Sequence, residues 1–325
     1  MKTPLYLGVD LGVTAIKAGL VDEKGHIGSE GERPTLPGRG RRQVICDMAA
    51  LCLETLLSAG RTTLDVTAAG VGVPGVVDAA AGVVKWAPNL GWRDVPLGAL
   101  LSEALACPVV LDNDANAAAA AEHAAGAAKG HDNALVVTLG TGVGAGVIVC
   151  GRLLRGAHGL SGELGHMTLY PGGALCGCGN RGCFEMYASA RALKDMGLRA
   201  MQTDPEGRIV RSADGETKRV TAELVARCAK EGDAQALAIW DRYTSDLALG
   251  LSNAARLTDP GVIVIGGGVA LSGEFLLRPL QEKMDALSIV PEAGAPKIVR
   301  ARFSARAGIV GAALLAGATA GERAQ

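Results

Sequence analysis

The sequence predicts an α/β fold in which short strands alternate with longer helices and are joined by glycine-rich turns. Residues 5–10, 15–22 and 262–265 are short runs rich in apolar and β-branched residues, which is typical of strands. Residues 43–59 and 234–257 instead carry apolar side chains at helical spacing. At 325 residues the chain is long for one hydrophobic core, so we expect two lobes.

Composition and charge argue against several classes of protein. The formal net charge of −1 predicts no nucleic-acid partner and no membrane surface. The uncharged run 134–151 is long enough for a membrane span, but its five glycines indicate a strand, a turn and a second strand. Eight irregularly spaced cysteines and an N-terminus without a signal-peptide pattern predict a reducing, cytoplasmic location.

Two glycine turns have the character of phosphate-binding turns. The first joins strands 5–10 and 15–22, and it can offer backbone N–H groups and the Thr14 hydroxyl to phosphate, while Asp10 can hold hydrated magnesium. A solvated hairpin turn explains this pattern equally well. The turn at 140–146 lies between strands 135–139 and 147–150 and resembles the first, which suggests an internal repeat.

Polar residues follow a predicted strand at 108–111 and precede an alanine-rich helix that runs to about residue 126. Chemistry in α/β folds concentrates at such strand ends, and Asp114 is the best general-base candidate in the chain. The alternative is that Asp112, Asn113 or Asp114 only caps the helix.

The loop at 86–92 is a second candidate for ligand binding. Its aromatic and amide side chains suit a polar ring, although two tryptophans that merely pin the loop would give the same pattern. The three glycines at 266–268 allow close approach of a flat ligand such as adenine. Residues 33–42 and 201–220 are polar and are predicted as a surface connection and an exposed insertion, and 307–320 as a small-residue helix packed on a lobe.

The segment 162–185 concentrates metal-ligand and sugar-binding residue types. His166, Cys176, Cys178 and Cys183 form an H-x9-C-x-C-x4-C set, which can close a tetrahedral site of one nitrogen and three sulfurs. Zinc favours that donor set, and a site without an open position is structural. Glycines 177, 179 and 182 let the backbone fold tightly around an ion. The alternative is a loop with three reduced cysteines.

Together these motifs resemble the ROK family of sugar kinases, and most of all its bacterial ATP-dependent glucokinases. The motifs are DLGVT at 10–14, VPG at 73–75, PNLGW at 88–92, DNDANAAAAAE at 112–122, LGTGVGAG at 139–146, GELGHM at 162–167, CGCGNRGC at 176–183, IGGGV at 265–269 and AGIVGAALLAG at 307–317. GELGH together with the cysteine loop is highly specific to that family.

The resemblance implies two actin-like, ribonuclease H-like α/β lobes with a structural zinc loop. The small lobe would comprise residues 1–115 and 306–325, and the large lobe residues 116–305. It also implies a cytoplasmic homodimer or homotetramer that binds a sugar, ATP with Mg²⁺, and Zn²⁺.

The resemblance further assigns a role to each matching position. Asp114 would be the base for the C6 hydroxyl of glucose. The other hydroxyls would be held by Asn89, Asn113, Glu163, His166 and Glu185, so that His166 would serve both zinc and sugar. The phosphates of ATP would lie against Asp10, Gly12, Thr14, Gly140, Thr141 and Gly142, and the adenosine against Gly266, Gly267 and Gly268.

Two departures from the family pattern D-x-G-G-T-K lie in the first turn, at Val13 and Ala15. Val13 resists positive φ, so the turn must have a conformation that a β-branched residue allows. Lys17 lies on the same strand face as Ala15 and could replace the missing lysine.

The alternatives are a kinase for another sugar (N-acetylmannosamine, fructose or allose), polyphosphate as donor, or a sugar sensor. ROK repressors carry a winged-helix domain before the first hairpin, which here starts at residue 5, so we expect no DNA binding.

Overall fold

The computed structural model describes residues 3–290, 292 and 294–323. The strands are β1 Leu5–Leu11, β2 Ala15–Asp22, β3 Ile27–Pro34, β4 Ala68–Val73, β5 Val76–Asp78, β6 Val83–Ala87, β7 Trp92–Val95, β8 Val109–Asn113, β9 Ala134–Leu139, β10 Val143–Val149, β11 Arg152–Leu153, β12 Val262–Gly266 and β13 Lys297–Arg300. The helices are α1 Arg41–Ser58, α2 Leu97–Leu105, α3 Asp114–Ala125, α4 Glu185–Ala188, α5 Ala190–Thr203, α6 Arg208–Ser212, α7 Ala222–Lys230, α8 Ala234–Thr258, α9 Glu274–Ala286 and α10 Ala307–Arg323.

The fold is α/β with mixed sheets, as the sequence predicts. One five-stranded sheet has the order β3-β2-β1-β4-β8, in which β1–β3 are antiparallel and β4 and β8 run parallel to β1. A second sheet has the order β11-β10-β9-β12-β13, in which β12 runs parallel to β9 and β13. The two orders correspond strand for strand, in keeping with the predicted internal repeat. A third sheet, β5-β6-β7, is antiparallel.

The described chain divides into two compact units. The first contains the residues up to His131, Gly146–Gly162 and the residues from Arg302 onward. The second contains Asp132–Ala145 and Glu163–Ala301. The predicted lobe boundaries (1–115 with 306–325, and 116–305) remain a prediction, and residues 1, 2, 324 and 325 of the small lobe lie outside the described residues.

Helix α10 packs directly on the backbone of the first sheet and of α3, which confirms its predicted role. A Cβ at Gly70 of β4 would lie 1.8 Å from the carbonyl oxygen of Ala312. A Cβ at Gly311 would lie 1.6 Å from that of Ala117. No side chain fits in those gaps, so the small residues of α10 are what lets the helix approach the sheet.

Glu122, near the end of α3, has a fully buried side chain that joins α3 to the segment leading into α10. Its carboxylate accepts three backbone hydrogen bonds, from the N–H groups of Ala127 at 2.8 Å, Arg302 at 3.1 Å and Phe303 at 2.8 Å. Charge-assisted bonds of this kind stabilise more than neutral ones do. One side chain thereby fixes the start of α10 to α3.

We expect Glu122→Gln to lower the free energy of unfolding by about 2–4 kcal/mol, because the amide keeps one acceptor oxygen and turns a donor toward backbone N–H groups. The measurement is the shift of the urea unfolding midpoint. Glu103→Gln is the matched control, since Glu103 is exposed on α2 and the same change there should be nearly neutral. Equal unfolding midpoints for Glu122→Gln and Glu103→Gln would contradict the conclusion that Glu122 fixes the start of α10 to α3.

Several predicted elements need correction. The predicted surface connection at 33–42 is wrong at both ends, because β3 extends to Pro34 and α1 begins at Arg41. The predicted exposed insertion at 201–220 contains α6, whose Ile209 is buried. The predicted loop at 86–92 begins inside β6 and ends inside β7, and the predicted turn at 140–146 is shorter, because β10 starts at Val143. At 33–42 the reason is that Arg33 and Pro34 pair with β2, and in the other three segments a buried apolar residue (Ile209, Trp92 or Val143) lies among polar or glycine-rich neighbours.

The described helices fall short of the length and apolar character that crossing a membrane requires. The uncharged run at 134–151 forms β9 and β10, as predicted.

Candidate active site

Asp10 lies in β1 directly opposite Lys17 of β2, so both side chains point to the same face of the sheet. Burial raises the pKa of the Asp10 carboxyl, and the charge of Lys17 partly offsets that rise. Gly308 of α10 packs directly against this carboxylate, because a Cβ at Gly308 would lie only 2.6 Å from Oδ2 of Asp10. A half-buried carboxylate is the kind of oxygen ligand that hydrated magnesium uses.

The first glycine turn is braced from outside the hairpin. The N–H of Gly12 donates to the carbonyl of Ala15 at 2.9 Å and closes the turn. The buried Thr35 donates its hydroxyl to the carbonyl of Gly12 at 2.6 Å and its N–H to that of Thr14 at 3.0 Å. Val13 is outside the left-handed region, so the turn has a conformation that a β-branched residue allows, as predicted.

The N-terminus of α3 presents Asn113 and Asp114. Asn113 is the N-cap: its Oδ1 accepts from the N–H groups of Ala115 at 2.8 Å and Asn116 at 3.2 Å, and its Nδ2 donates to the carbonyl of Gly75 at 3.1 Å. Asp114 is the half-buried first residue of the helix, where the helix dipole favours a negative charge. One of the predicted polar residues therefore caps the helix, and Asp114 remains the candidate base.

The loop between β6 and β7 exposes Asn89 in a single helical turn. Leu90 and Trp92 are buried at 5% and 3% exposure and hold the turn in place. Trp86 is 44% exposed, so one tryptophan of the two anchors the loop.

The second glycine turn lies against Glu185. The N–H of Gly140 donates to the carbonyl of Gly142 at 3.0 Å, and the N–H of Ala190, at the start of α5, donates to the carbonyl of Gly140 at 2.9 Å. A Cβ at Gly142 would lie 2.5 Å from Oε2 of Glu185. Thr141, at the tip, is exposed.

The three glycines at 266–268 differ in whether a side chain would fit at their positions. Gly267 has φ +84°, and a Cβ there would lie 2.4 Å from the carbonyl oxygen of Leu139, so glycine is needed. Gly268 faces open space, and Gly266 ends the strand. The segment leaves an open backbone surface for a flat group.

The four predicted metal ligands form one cluster. One ligand atom from each of His166, Cys176, Cys178 and Cys183 lies within 4.8 Å of all the others. Sγ of Cys176 is 3.6 Å from Nδ1 of His166, and Sγ of Cys178 is 3.6 Å from Sγ of Cys183. Tetrahedral zinc would place sulfur ligands about 3.8 Å apart. The donor types and their spacing therefore fit such an ion.

His166 places its two ring nitrogens between two glutamates. Nδ1 lies 3.8 Å from Oε1 of Glu185, on the side of the thiols, and Nε2 lies 3.9 Å from Oε2 of Glu163. Burial raises the pKa of the Glu163 carboxyl; His166 partly counters this rise and Glu185 adds to it. This arrangement could hold a metal on one side of the imidazole and a hydroxyl on the other.

The thiols of the cluster differ in their electrostatics. Burial raises the pKa of the Cys176 thiol, which also donates to Oε1 of Glu185 at 3.0 Å, and burial raises the pKa of Cys183 as well. The N–H of Asn180 lowers the pKa of Cys178. A metal that bound here would have to release protons from the thiols, so its affinity would rise with pH.

The segment that carries the cysteines is anchored to α8 through Tyr170, which precedes them. The hydroxyl of Tyr170 donates to the buried Asp246 at 2.6 Å, and Nε of Arg242 donates to the same carboxylate at 3.0 Å. Gly179 and Gly182 have φ of +92° and +81°. Gly177 is outside the positive-φ region, and a Cβ there would meet open space, so the conformational freedom of glycine is required at two of the three predicted positions.

The predicted site residues are distributed over both units. The first unit holds Asp10, Gly12, Thr14, Asn89, Asn113 and Asp114; the second holds Gly140, Thr141, Gly142, Glu163, His166, Cys176, Cys178, Cys183, Glu185, Gly266, Gly267 and Gly268. Asn113 and Asp114 adjoin in the first unit. Glu163, His166, Glu185, the thiols and the second glycine turn adjoin in the second.

Three residues that shape these regions were not predicted. Thr35 braces the first turn, Tyr170 fastens the cysteine loop, and Arg155 forms an ion pair with Asp112. Their partners are 23, 76 and 43 positions away, and no local pattern marks such contacts.

Comparison with known proteins agrees with the resemblance seen in the sequence. The chain is 38% identical over 308 residues to the glucokinase of Thermotoga maritima, covering 94% of this chain and 95% of that protein. It is 36% identical over 317 residues to the glucokinase of Streptomyces coelicolor, covering 96% of this chain and 97% of that protein. The crystal structure of a ROK family glucokinase from Streptomyces griseus in complex with glucose and AMPPNP matches with a TM-score of 0.85 and 37% identity, covering 97% of this chain and 99% of that one. The model of the ROK family matches residues 6–319, and the chain belongs to that family.

Proposed function

We propose that this chain is an ATP-dependent glucokinase, which transfers the γ-phosphoryl group of ATP to the C6 hydroxyl of glucose. The products are glucose 6-phosphate and ADP. One observation carries the proposal: the similarity to glucokinases extends over nearly the whole length of both chains, including one whose crystal structure contains glucose and an ATP analogue.

Asp114 is the proposed general base. Phosphoryl transfer asks for little covalent chemistry from the protein, so the main task is to orient the sugar hydroxyl and accept its proton. Asp114 is half-buried at the first position of α3, where its Oδ1 accepts the N–H of Ala115 at 2.8 Å, and Asn113 is the N-cap of that helix.

The other hydroxyls of the sugar are assigned to Asn89, Asn113, Glu163, His166 and Glu185. Asn113 uses one hydrogen of Nδ2 on Gly75, and the second can reach a hydroxyl. Glu163 and His166 are about two-fifths exposed, which suits groups that must meet a ligand. These residues orient the sugar, and a mispositioned hydroxyl reacts far more slowly.

The nucleotide is assigned to the glycine turns. The first turn, with Gly12 and Thr14, and the second, with Gly140, Thr141 and Gly142, would offer N–H and hydroxyl groups to the phosphates. Gly266, Gly267 and Gly268 would lie against the adenosine. Asp10 would hold hydrated magnesium, which neutralises charge on the transferred phosphoryl group.

Zinc is assigned to His166, Cys176, Cys178 and Cys183. Bound there it would fill a closed structural site and fix the imidazole of His166. Support comes from the spacing of the four ligand atoms, all within 4.8 Å. We further propose a homodimer or homotetramer and a cytoplasmic location, the latter because all eight cysteines are free thiols.

A kinase for another sugar is the second candidate. The same residue types would serve N-acetylmannosamine, fructose or allose, since two amides, two carboxylates and an imidazole bind hydroxyls of either stereochemistry. A sugar sensor without catalysis is disfavoured, because Asp114 is retained at the start of α3.

The test is ADP release with Mg-ATP against a panel of hexoses and N-acetylhexosamines, with Asp114→Ala as the blank. We expect glucose to give the highest kcat/KM. A different preferred sugar would change the substrate and keep the reaction class. Absence of ADP release with every sugar, followed by no sugar phosphate from polyphosphate, would overturn the kinase function.

A further inference from the structure

A charged network adjoins the candidate base in the chain. Asp112 is the penultimate residue of β8, two residues before Asp114, and it is only 4% exposed. Its carboxylate accepts three hydrogen bonds: Oδ2 from Nε of Arg155 at 2.8 Å, and Oδ1 from the N–H of Asn113 and from Nδ2 of Asn116, both at 2.8 Å. A buried carboxylate is tolerated when it is paired and fully hydrogen-bonded, and this one is both.

The network also fixes the first turn of α3. Asn113, whose N–H donates to Asp112, caps that turn. Asn116, in the same turn, gives its amide hydrogen to Asp112, and no described donor reaches its buried Oδ1. Leaving a buried carbonyl oxygen unpaired costs about 1–3 kcal/mol. Turning the amide over would put that oxygen against the carboxylate, so the ionised Asp112 dictates the orientation of Asn116.

Arg155 supplies the positive charge. Arg155 lies in the loop after β11, where its backbone carbonyl accepts the N–H of Ser161 at 3.2 Å, and its side chain is 42% exposed. Without it, a buried negative charge would lie two residues from Asp114 and repel the carboxylate that must take a proton. The Asp112 carboxylate would also keep its hydrogen bonds from Asn113 and Asn116 while its own charge had no counter-charge.

We propose that Arg155 and Asp112 form a pair of positioning residues for the phosphoryl transfer, an inference that rests on the glucokinase function proposed above. The pair cancels the charge next to Asp114 and holds the first turn of α3 in the orientation in which Asp114 meets the sugar hydroxyl. Neither residue needs to touch the substrate.

The experiment is a double-mutant cycle on the full-length enzyme with glucose and Mg-ATP. We expect Arg155→Met to lower kcat by about 10- to 100-fold, the scale of a misplaced catalytic group, with KM values for glucose and ATP changed less than about threefold. Arg155→Lys restores the charge and should recover part of the loss. Asp112→Asn, which keeps the shape of the side chain, should also lower kcat.

The double variant Asp112→Asn/Arg155→Met decides whether the two residues act together. It should lose less than the product of the two single losses, because the buried charge of Asp112 is then removed together with its partner and is not left unpaired. A purely structural ion pair would lower the unfolding midpoint and leave kcat of the folded enzyme unchanged. Arg152→Met is the matched control, since Arg152 is exposed in the same hairpin, and it should keep the parental kcat.

Any of three results would refute the positioning role of Arg155 and Asp112. These are a kcat for Arg155→Met within twofold of the parent, multiplicative losses of kcat in the double variant, or a rise in KM for ATP in place of a fall in kcat. An inactive parent enzyme would instead refute the proposed function, so the two failures are distinguishable.

Discussion

Asp114→Ala should lower kcat by about 10²–10⁴-fold while glucose still binds, because general-base catalysis contributes on that scale and the sugar keeps its other partners. The measurement pairs steady-state ADP release with glucose binding by calorimetry. Asp114→Asn should be similarly slow, since the amide keeps the shape and cannot accept the proton. Asp132→Asn, an exposed aspartate outside the proposed site, is the matched control and should keep the parental rate.

The split between kcat and binding is what identifies the role. A group that acts in the transition state changes kcat, whereas a group that only holds the ground state changes glucose affinity. A kcat for Asp114→Ala within tenfold of the parent would refute the general-base role of Asp114. A loss of glucose binding equal to the loss of rate would reassign Asp114 to sugar holding.

The local parts of the fold and site could be predicted from the sequence. The four candidate metal ligands lie within one short segment, from His166 to Cys183, so their spacing alone predicts a cluster, and their ligand atoms do converge. The hairpin of β1 and β2, the cap at the start of α3, and α10 were equally readable, because each rests on periodicity or on capping residues.

Contacts between distant segments could not be predicted. Arg155 meets Asp112 across 43 positions, and Tyr170 meets Asp246 across 76. Only the tertiary fold brings such pairs together. The sheet of β5, β6 and β7 was not predicted for a different reason. Its strands are short, and its aromatic residues are equally typical of a loop; only the structure shows that Trp92 is buried.

Within the second unit, Glu185 connects two predicted functions. Its Oε1 accepts from Cys176 and its Oε2 lies against Gly142 of the second glycine turn. A shift of the cysteine loop would therefore move a carboxylate that abuts a proposed phosphate turn and a proposed sugar ligand. A metal bound by the proposed ligand set could thus influence sugar and phosphate binding without taking part in the chemical step.

Removing zinc should weaken glucose binding by about 10- to 100-fold, the usual effect of losing a group that orients a binding residue, because His166 would lose its fixed orientation. Zinc content is measured by mass spectrometry before and after chelation, and glucose affinity by calorimetry in the absence of ATP, so that chelated magnesium does not affect the result. The chelated sample must stay folded by circular dichroism.

Cys178→Ser provides the same test without a chelator, because Cys178 is the exposed thiol of the cluster and its replacement changes packing least. Cys46→Ser, at an exposed cysteine of α1 outside the cluster, is the matched control and should keep both zinc and affinity. Since burial raises the pKa of the Cys176 and Cys183 thiols, zinc binding must displace their protons, and zinc affinity should rise as pH rises. A folded, zinc-free enzyme that binds glucose as tightly as the loaded one would show that His166 does not depend on the metal, and would leave the cluster a purely structural brace of the loop.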